Sequence, residues 1–345
     1  MDSPFTPEVF LSAVSSSEAP GSLSEQEQEP GVLAFSVLMA VLYLLVCVVG
    51  LSGNALVIVA ILKLDRMESA TTVYILNLAL ADGLFMVGLP FIAMQNFQNR
   101  WAFGDLACKL VMVLDGINQF TSVFCLTVMS VDRYLALVSP LRFARWRSPR
   151  RAKVISACLW ALSLLPVLPM ALRFSAESGL CTVDSHVSFH SWWLVFLTYT
   201  FILGFALPFA VMITAYAALV LTLRTRRGSF QSRDSERQER QVTRMVVSVV
   251  LVFAACWLPF YVFNFCALHR WDLVFSFAKA FELVVLFSYA WSCANPILYA
   301  CLSGTFRAHF RTLLCPKQGS AGGPPEPPTE GCDLQGVSGG HSSAV

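Results

Sequence analysis

Seven long apolar stretches alternate with short polar segments along this chain of 345 residues. A helix needs about 20 mostly apolar residues to cross the hydrocarbon of a bilayer. The stretches run at roughly 33–62, 72–98, 106–137, 152–172, 192–223, 243–268 and 276–302. The pattern predicts an all-α membrane protein, a seven-helix bundle over 33–302 with a polar tail over 1–32. Residues 303–315, SGTFRAHFRTLLC, put Phe306, Phe310, Leu313 and Leu314 on one side and Arg307 and Arg311 on another. That is the pattern of a helix lying in the membrane interface. Residues 316–345 are rich in Gly, Pro and Ser and are expected to be disordered. No internal repeat is visible, which counts against the repeated architectures of many secondary transporters.

Charge orients the bundle. Residues 139–153, SPLRFARWRSPRRAK, carry six bases and no acid. Arg224, Arg226, Arg227, Arg233, Arg237, Arg240 and Arg244 follow the fifth stretch, and Arg307, Arg311 and Lys317 follow the seventh. Basic loops stay in the cytoplasm, so the N-terminus is expected outside and the C-terminus inside. The first 31 residues hold six acids and no base. No basic segment precedes an apolar core there, so a cleaved signal peptide is not expected and the first span directs insertion.

Composition excludes some chemistry. The chain is 56% hydrophobic and 13% charged, where a soluble domain has about 25% charged residues. Its eleven cysteines form no CxxC pair near a histidine, so neither a zinc site nor a dense disulfide framework is expected. None of the five histidines falls centrally in a span and no Gly-rich phosphate loop is present. An enzyme is not expected.

Ionisable residues inside spans are costly and point to function by default. Asp82, in LNLALADGLF, is either a protonated group bonded inside the bundle or a cation site. Asp115, in LDGINQF, lies seven residues after Cys108, about two turns below the mouth, with Gln119 on the same face. No Lys or Arg in the middle of another span offers it a partner, so a cationic ligand is the better reading. Asp132-Arg133-Tyr134 ends the third span; taken alone it reads as interfacial snorkelling. Glu282 pairs with Lys279 along a helix face or meets a ligand at the rim.

Other residues carry a resemblance. GLSGNALVIVAIL, LNLALAD, SVDRYLAL, Trp160, Pro208, CWLPF and NPILY fall one per span, in order. Together they resemble the rhodopsin-like (class A) G-protein-coupled receptors over about 33–315. LDGINQFTSVFCLTVMSVDRYLA, VTRMV and SCANPILYA are similar to somatostatin receptors, with opioid receptors next. Tyr289 stands where opsins have their retinal lysine. LTYTFILGF lacks the serines of amine receptors. The chain departs from the somatostatin pattern at Trp291, where the family has Asn, and has no N-x-S/T sequon.

The resemblance implies a receptor in the plasma membrane for a small cyclic, lysine-containing peptide, coupled to inhibitory G proteins and lowering cyclic AMP. Opioid-like or orphan peptide receptors, and a non-signalling scaffold or decoy, are the alternatives. The ammonium would meet Asp115 and Gln119, and Phe260, Tyr261, Phe281 and Tyr289 would pack apolar side chains. Asn264 and Gln95 would reach the peptide backbone or the rim, and Trp257 would sense the ligand. Cys108 and Cys181 would be disulfide-bonded. Asp132, and Glu239 across the bundle, would hold Arg133, with Tyr134 beside them. Pro259, Asn295, Pro296 and Tyr299 would take part in opening toward a G protein and arrestin. A sodium ion would rest against Asp82 and Ser122, with Ser292 and Asn295. Trp291 offers that shell no oxygen, and its ring is expected to fill the pocket and give its N–H a polar partner. Cys315 would carry palmitate, and Ser343-Ala344-Val345 would suit a PDZ domain. Nothing points to nucleic acid.

Overall fold

The computed structural model describes residues 30–98, 100–138, 147–183, 189–225, 233–269 and 278–314. Seven of its helices are long and apolar enough to cross a membrane: Ala34–Asp65, Ala70–Gln98, Gly104–Ala136, Pro149–Arg173, Ser191–Thr222, Val246–Leu268 and Ala280–Leu302. They are spans one to seven, and the chain is a multi-pass membrane protein. The sixth span, Val246–Leu268, lies where the apolar run places it, and the helix that carries it begins earlier, at Arg233. Apolar count marks where hydrocarbon ends, whereas helical hydrogen bonding continues into water over RDSERQERQVTR.

Span three is central, touching spans two, four, five and six, while span one closes the ring against two and seven. The spans expose leucine and valine on their outer faces, as at Leu165 (67% exposed), Val154 and Leu251. Lipid tails are as apolar as leucine, so cohesion between spans rests on packing and on polar contacts. One buried cluster joins Val57, Tyr74, Leu126, Phe253, Trp257, Trp291 and Tyr299. The other joins Tyr43, Phe85, Leu89, Phe120, Val167 and Met170 toward the opposite end.

Between spans four and five a short hairpin pairs Phe174–Ser175 with Thr182–Val183, antiparallel, Phe174 opposite Val183. Gly179 in its turn has φ +83°, a conformation glycine adopts without strain. The Cys108–Cys181 disulfide staples this hairpin to span three, as the resemblance implies. Gln95 Oε1 accepts from the Cys181 N–H at 2.8 Å, Asp105 accepts from the Ala176 N–H at 3.1 Å, and the Trp101 N–H donates to Gly179 O at 2.7 Å.

A further helix, Gly304–Leu314, follows span seven. Ser303 Oγ accepts from the Phe306 N–H at 3.4 Å at its start, and Phe306 stacks on Tyr299 with centroids 5.5 Å apart. Phe306 and Phe310 are buried, but Leu314 is 67% exposed. Leu313 packs partly buried beside them, so of the four apolar residues only Leu314 makes no contact with the bundle core and is left to face the surroundings.

Glycines set the closest approaches. A Cβ on Gly116 would lie 2.9 Å from Val167 Cγ2 and 2.8 Å from Met170 Sδ. A Cβ on Gly50 would meet only the end of Met86, at 2.6 Å. Valine is stiff at χ1 and methionine adapts. Gly116→Ala is therefore expected to destabilise the purified protein by about 1–3 kcal/mol and Gly50→Ala by less. Thermal unfolding in detergent checks the order; equal losses would contradict it.

Candidate ligand pocket and signalling core

Beneath the hairpin, Asp115 projects half-buried from span three. Among the described residues it has no ion-pair partner; Lys109, one and a half turns away, is held by Asp105 at 2.8 Å. Asp115 is within electrostatic reach of Tyr43, Tyr261 and Tyr289, and the half-buried Glu282 lies within reach of Tyr43. A carboxylate held among apolar walls without a counter-charge favours a cation entering from the mouth.

The floor is a polar clasp between three spans. Gln119 Nε2 donates to the Tyr261 hydroxyl, which donates to Thr200 O at 3.1 Å. Span five has a π-helical turn here, Ile202–Ala206, and a Cβ on Gly204 would sit 3.3 Å from Gln119, Phe120 and Tyr261 alike. Thr200 and Gly204 escaped sequence reasoning, although a glycine inside an apolar helix was the available signal.

The expected peptide contacts divide by exposure. Phe260 and Tyr289 are half-buried. Tyr289 packs on Phe85 at 4.9 Å and Tyr43 at 6.0 Å, toward spans one and two. Phe281 stacks on Phe263 at 5.2 Å. Tyr261 and Asn264 are 1% and 3% exposed, and Asn264 donates to its own helix at Phe260 O, 2.8 Å. They support the floor from within. Gln95 spends its acceptor on the hairpin, as above.

Below the floor a ladder of rings descends. Trp257 lies 5.8 Å from Phe260 and 6.1 Å from Phe253, and Phe253 meets Trp291 edge-on at 5.1 Å and 85°. The Trp291 indole is 1% exposed, and its Nε1 has no hydrogen-bond partner among the described residues. The expected polar partner for that N–H is thus not found; the ring is directed at Phe253 of span six.

The residue after Trp291 begins the polar core. Ser292 Oγ donates to Asp82 Oδ1 at 2.8 Å, and Asn295 Nδ2 to Asp82 Oδ2 at 2.8 Å. Asn118 Nδ2 donates to Ser292 Oγ at 3.1 Å, and Ser122 Oγ to Asn118 Oδ1 at 3.3 Å. Asn54 Nδ2 donates to Ser292 O at 2.9 Å. Asn54 and Asn118 were not singled out beforehand; each is an amide within an apolar run, a signal that was present. The resemblance-implied sodium shell is poorly matched by these residues. Both oxygens of Asp82 already accept from side chains, Ser122 reaches it only through Asn118, and Trp291 supplies no oxygen. Among the described residues, Asn295 Oδ1 and Asn54 Oδ1 are left as unpartnered neutral acceptors in this polar core.

At the other end, Arg133 donates to Asp132 at 2.7 Å and to the Thr71 hydroxyl. Asp132 is shared: Arg147 Nε donates to its second oxygen at 3.0 Å. Tyr134 is half-buried beside span five. Pro259 lies inside its helix and Pro296 inside span seven. The Tyr299 hydroxyl is buried without a partner among the described residues. The Glu239 side chain, Cys315 and Ser343-Ala344-Val345 lie outside the described residues.

The sequence profile of the 7 transmembrane receptor (rhodopsin family) matches residues 53–299. The chain belongs to that family. It is a signalling receptor and not an enzyme. Among its relatives, somatostatin receptor type 5 of Bos taurus is 49% identical over 311 residues, 88% of this chain and 82% of that protein. Somatostatin receptor type 2 of Mus musculus is 44% identical over 86% of this chain and 82% of its own length. Somatostatin receptor type 3 of Homo sapiens is 46% identical, with 85% and 72% covered.

The saturated carboxylate of the receptor generates a test. Exchanging choline for sodium at constant ionic strength is expected to leave the melting temperature of the purified receptor unchanged. Trp291→Asn is expected to create a sodium-dependent rise that Asp82→Asn removes. A rise in the unaltered receptor, lost in Asp82→Asn, would show that the indole does not exclude the ion.

Proposed function

We propose that the receptor binds a short, cyclic, lysine-bearing peptide of the somatostatin type at Asp115 and activates an inhibitory heterotrimeric G protein, lowering cyclic AMP. The observation that carries this reading is a half-buried carboxylate without a counter-charge among the described residues, about two turns below the disulfide that staples the hairpin to span three. The somatostatin-receptor relatives support the peptide class. An ammonium reaching Asp115 would take the place of water above it, and Phe260 and Tyr289 would pack beside the lysine stem. The disulfide supports an extracellular position for the hairpin, since oxidised pairs persist outside the cell, and the basic segments after spans three and five support a cytoplasmic position for the opposite end. The membrane is then the plasma membrane, where a circulating peptide has access, and arrestin is a further partner of the same inner face.

Signalling in this reading is a shift between two states. The peptide bears on Trp257 through the floor, and the ring ladder carries the displacement to Trp291 and so to span seven. Pro259 removes a helical N–H and lets span six bend. At the inner face the Asp132 clamp on Arg133 must open.

Asp115→Asn is expected to weaken a lysine-containing cyclic peptide at least about tenfold, equivalent to about 1.4 kcal/mol, in radioligand competition on a variant with normal surface expression. Unchanged affinity would remove Asp115 as the anchor. Arg147→Ala is expected to raise agonist-free nucleotide exchange on a purified inhibitory G protein about fivefold, since a partly exposed ion pair is worth about 1 kcal/mol. Arg147→Lys is expected to keep exchange low. Equal exchange in all three proteins would show that the shared clamp does not restrain the resting state.

A further inference from the structure

The segment between spans three and four carries a serine next to the ion latch. Residues 147–153 read RSPRRAK, and the wider stretch 139–153 has six bases and no acid. Ser148 is the cap residue of the helix Pro149–Arg173, with φ −75° and ψ 146°. That is the extended backbone a following proline favours. Pro149 takes the first helical position, where its missing N–H costs nothing. The bond that the Ser148 hydroxyl accepts from the Arg151 N–H is long, 3.5 Å, against about 2.7–3.2 Å for an ordinary N–H···O bond. Ser148 and Pro149 are half-buried, and Arg150 and Lys153 are exposed.

The residue before it is Arg147, whose Nε donates to Asp132 Oδ1 at 3.0 Å, while Asp132 Oδ2 accepts from Arg133 at 2.7 Å. The Arg147 side chain is 25% exposed and that of Arg133 10%. One carboxylate is thus shared by two guanidinium groups, and the more exposed of them adjoins Ser148 in sequence. A phosphate on that hydroxyl would bring a charge of about −1.5 to −2 and three strong acceptor oxygens beside Arg147. The planar fork of an arginine meets such an oxyanion with two parallel N–H bonds. The phosphate would draw Arg147 off Asp132, and its repulsion of that carboxylate works in the same direction. A negative group is also favourable at a helix N-terminus, so the helix of span four would tolerate the change.

We infer that Ser148 is a phosphorylation site for a proline-directed protein kinase, and that the phosphate unlatches Arg147 from Asp132 and so loosens the hold on Arg133. The kinase class follows from the chemistry of the segment. The hydroxyl precedes a proline, the backbone there is already extended, and Arg150 and Arg151 offer positive charge two and three residues on. In the transfer, Ser148 Oγ attacks the γ-phosphorus of ATP and the bond from that phosphorus to the bridging oxygen breaks. ADP leaves, and the hydroxyl proton passes to the catalytic carboxylate of the kinase. The inference rests on the cytoplasmic reading of this face, since ATP and protein kinases are found on that side of the membrane.

The test uses the full chain in nanodiscs, a recombinant kinase of the cyclin-dependent class with ATP, and mass spectrometric mapping of phosphopeptides. Phosphate is expected on Ser148 and is expected to be lost in Ser148→Ala. Pro149→Ala, which keeps the hydroxyl and the cap, is expected to lose it as well and serves if the first variant folds poorly. Amide hydrogen exchange over residues 131–138, the inner end of the span-three helix, is expected to quicken about fivefold on phosphorylation, as for loss of a partly exposed ion pair. A phosphatase is expected to reverse it. In Arg147→Ala the same amides are expected to exchange fast from the start and to gain nothing from an equally phosphorylated Ser148, because both changes remove one contact. No phosphate on Ser148, phosphate retained in Pro149→Ala, amide exchange unchanged or slowed, or an undiminished further gain in Arg147→Ala would each overturn the inference. Mapping and amide exchange need neither peptide nor G protein, so their failure would leave the ligand reading at Asp115 untouched.

Discussion

The carboxylate of Asp82 is the group around which the bundle is built. In hydrocarbon an acid cannot be left alone, and water is scarce, so its partners must come from other spans. Ser292 and Asn295 supply two hydrogen bonds from span seven. Asn118 links span three to the same serine hydroxyl, and Asn54 links span one to its carbonyl. Four helices are thereby set in rotation and height by one buried polar knot. Trp160 does the same on a smaller scale, donating from span four to Asn77 of span two at 2.9 Å. Apolar packing holds these helices together but discriminates weakly between neighbouring registers; the amides decide among them.

The two ends are held by different means, and each suits its task. The outer end is stapled covalently and by hydrogen bonds to the hairpin backbone, with the Gln95 and Asp105 side chains accepting and the Trp101 backbone N–H donating, which keeps the mouth above Asp115 in place. The inner end is held by ions: Asp132 between Arg133 and Arg147, with Thr71 beside them. Such pairs near water are individually modest. A rigid entrance and a weakly latched exit suit a molecule that binds at one end and opens at the other. Between them run Phe260, Trp257, Phe253 and Trp291 in ring contact. Trp291 joins that ladder to the Asp82 knot through its neighbour Ser292. An asparagine in its place would lack the ring that meets Phe253.

Much of this was legible in the chain. Apolar run length marks seven spans because hydrocarbon thickness imposes a length and because helices satisfy their own backbones; neither depends on distant residues. Asp115 stood out by being an acid with no visible partner, and the ordered motifs led to the family. Other features were beyond that reading. The helix of span six outlasts its apolar run because helical bonding does not stop at the membrane surface.

What the sequence by itself determined is the number of spans, their approximate limits, the charged and amide residues inside them, and the family. What only the tertiary structure decided is which of those residues meet: Gln119 with Tyr261, Ser122 with Asn118 in place of Asp82, Arg147 with Asp132, and Trp291 with Phe253. The physical reason is rotation about the helix axis. Spans flanked by lipid and by other spans on all sides carry little amphipathic pattern to betray their facing. That angle is settled only when seven helices pack and every buried polar group seeks a partner at once.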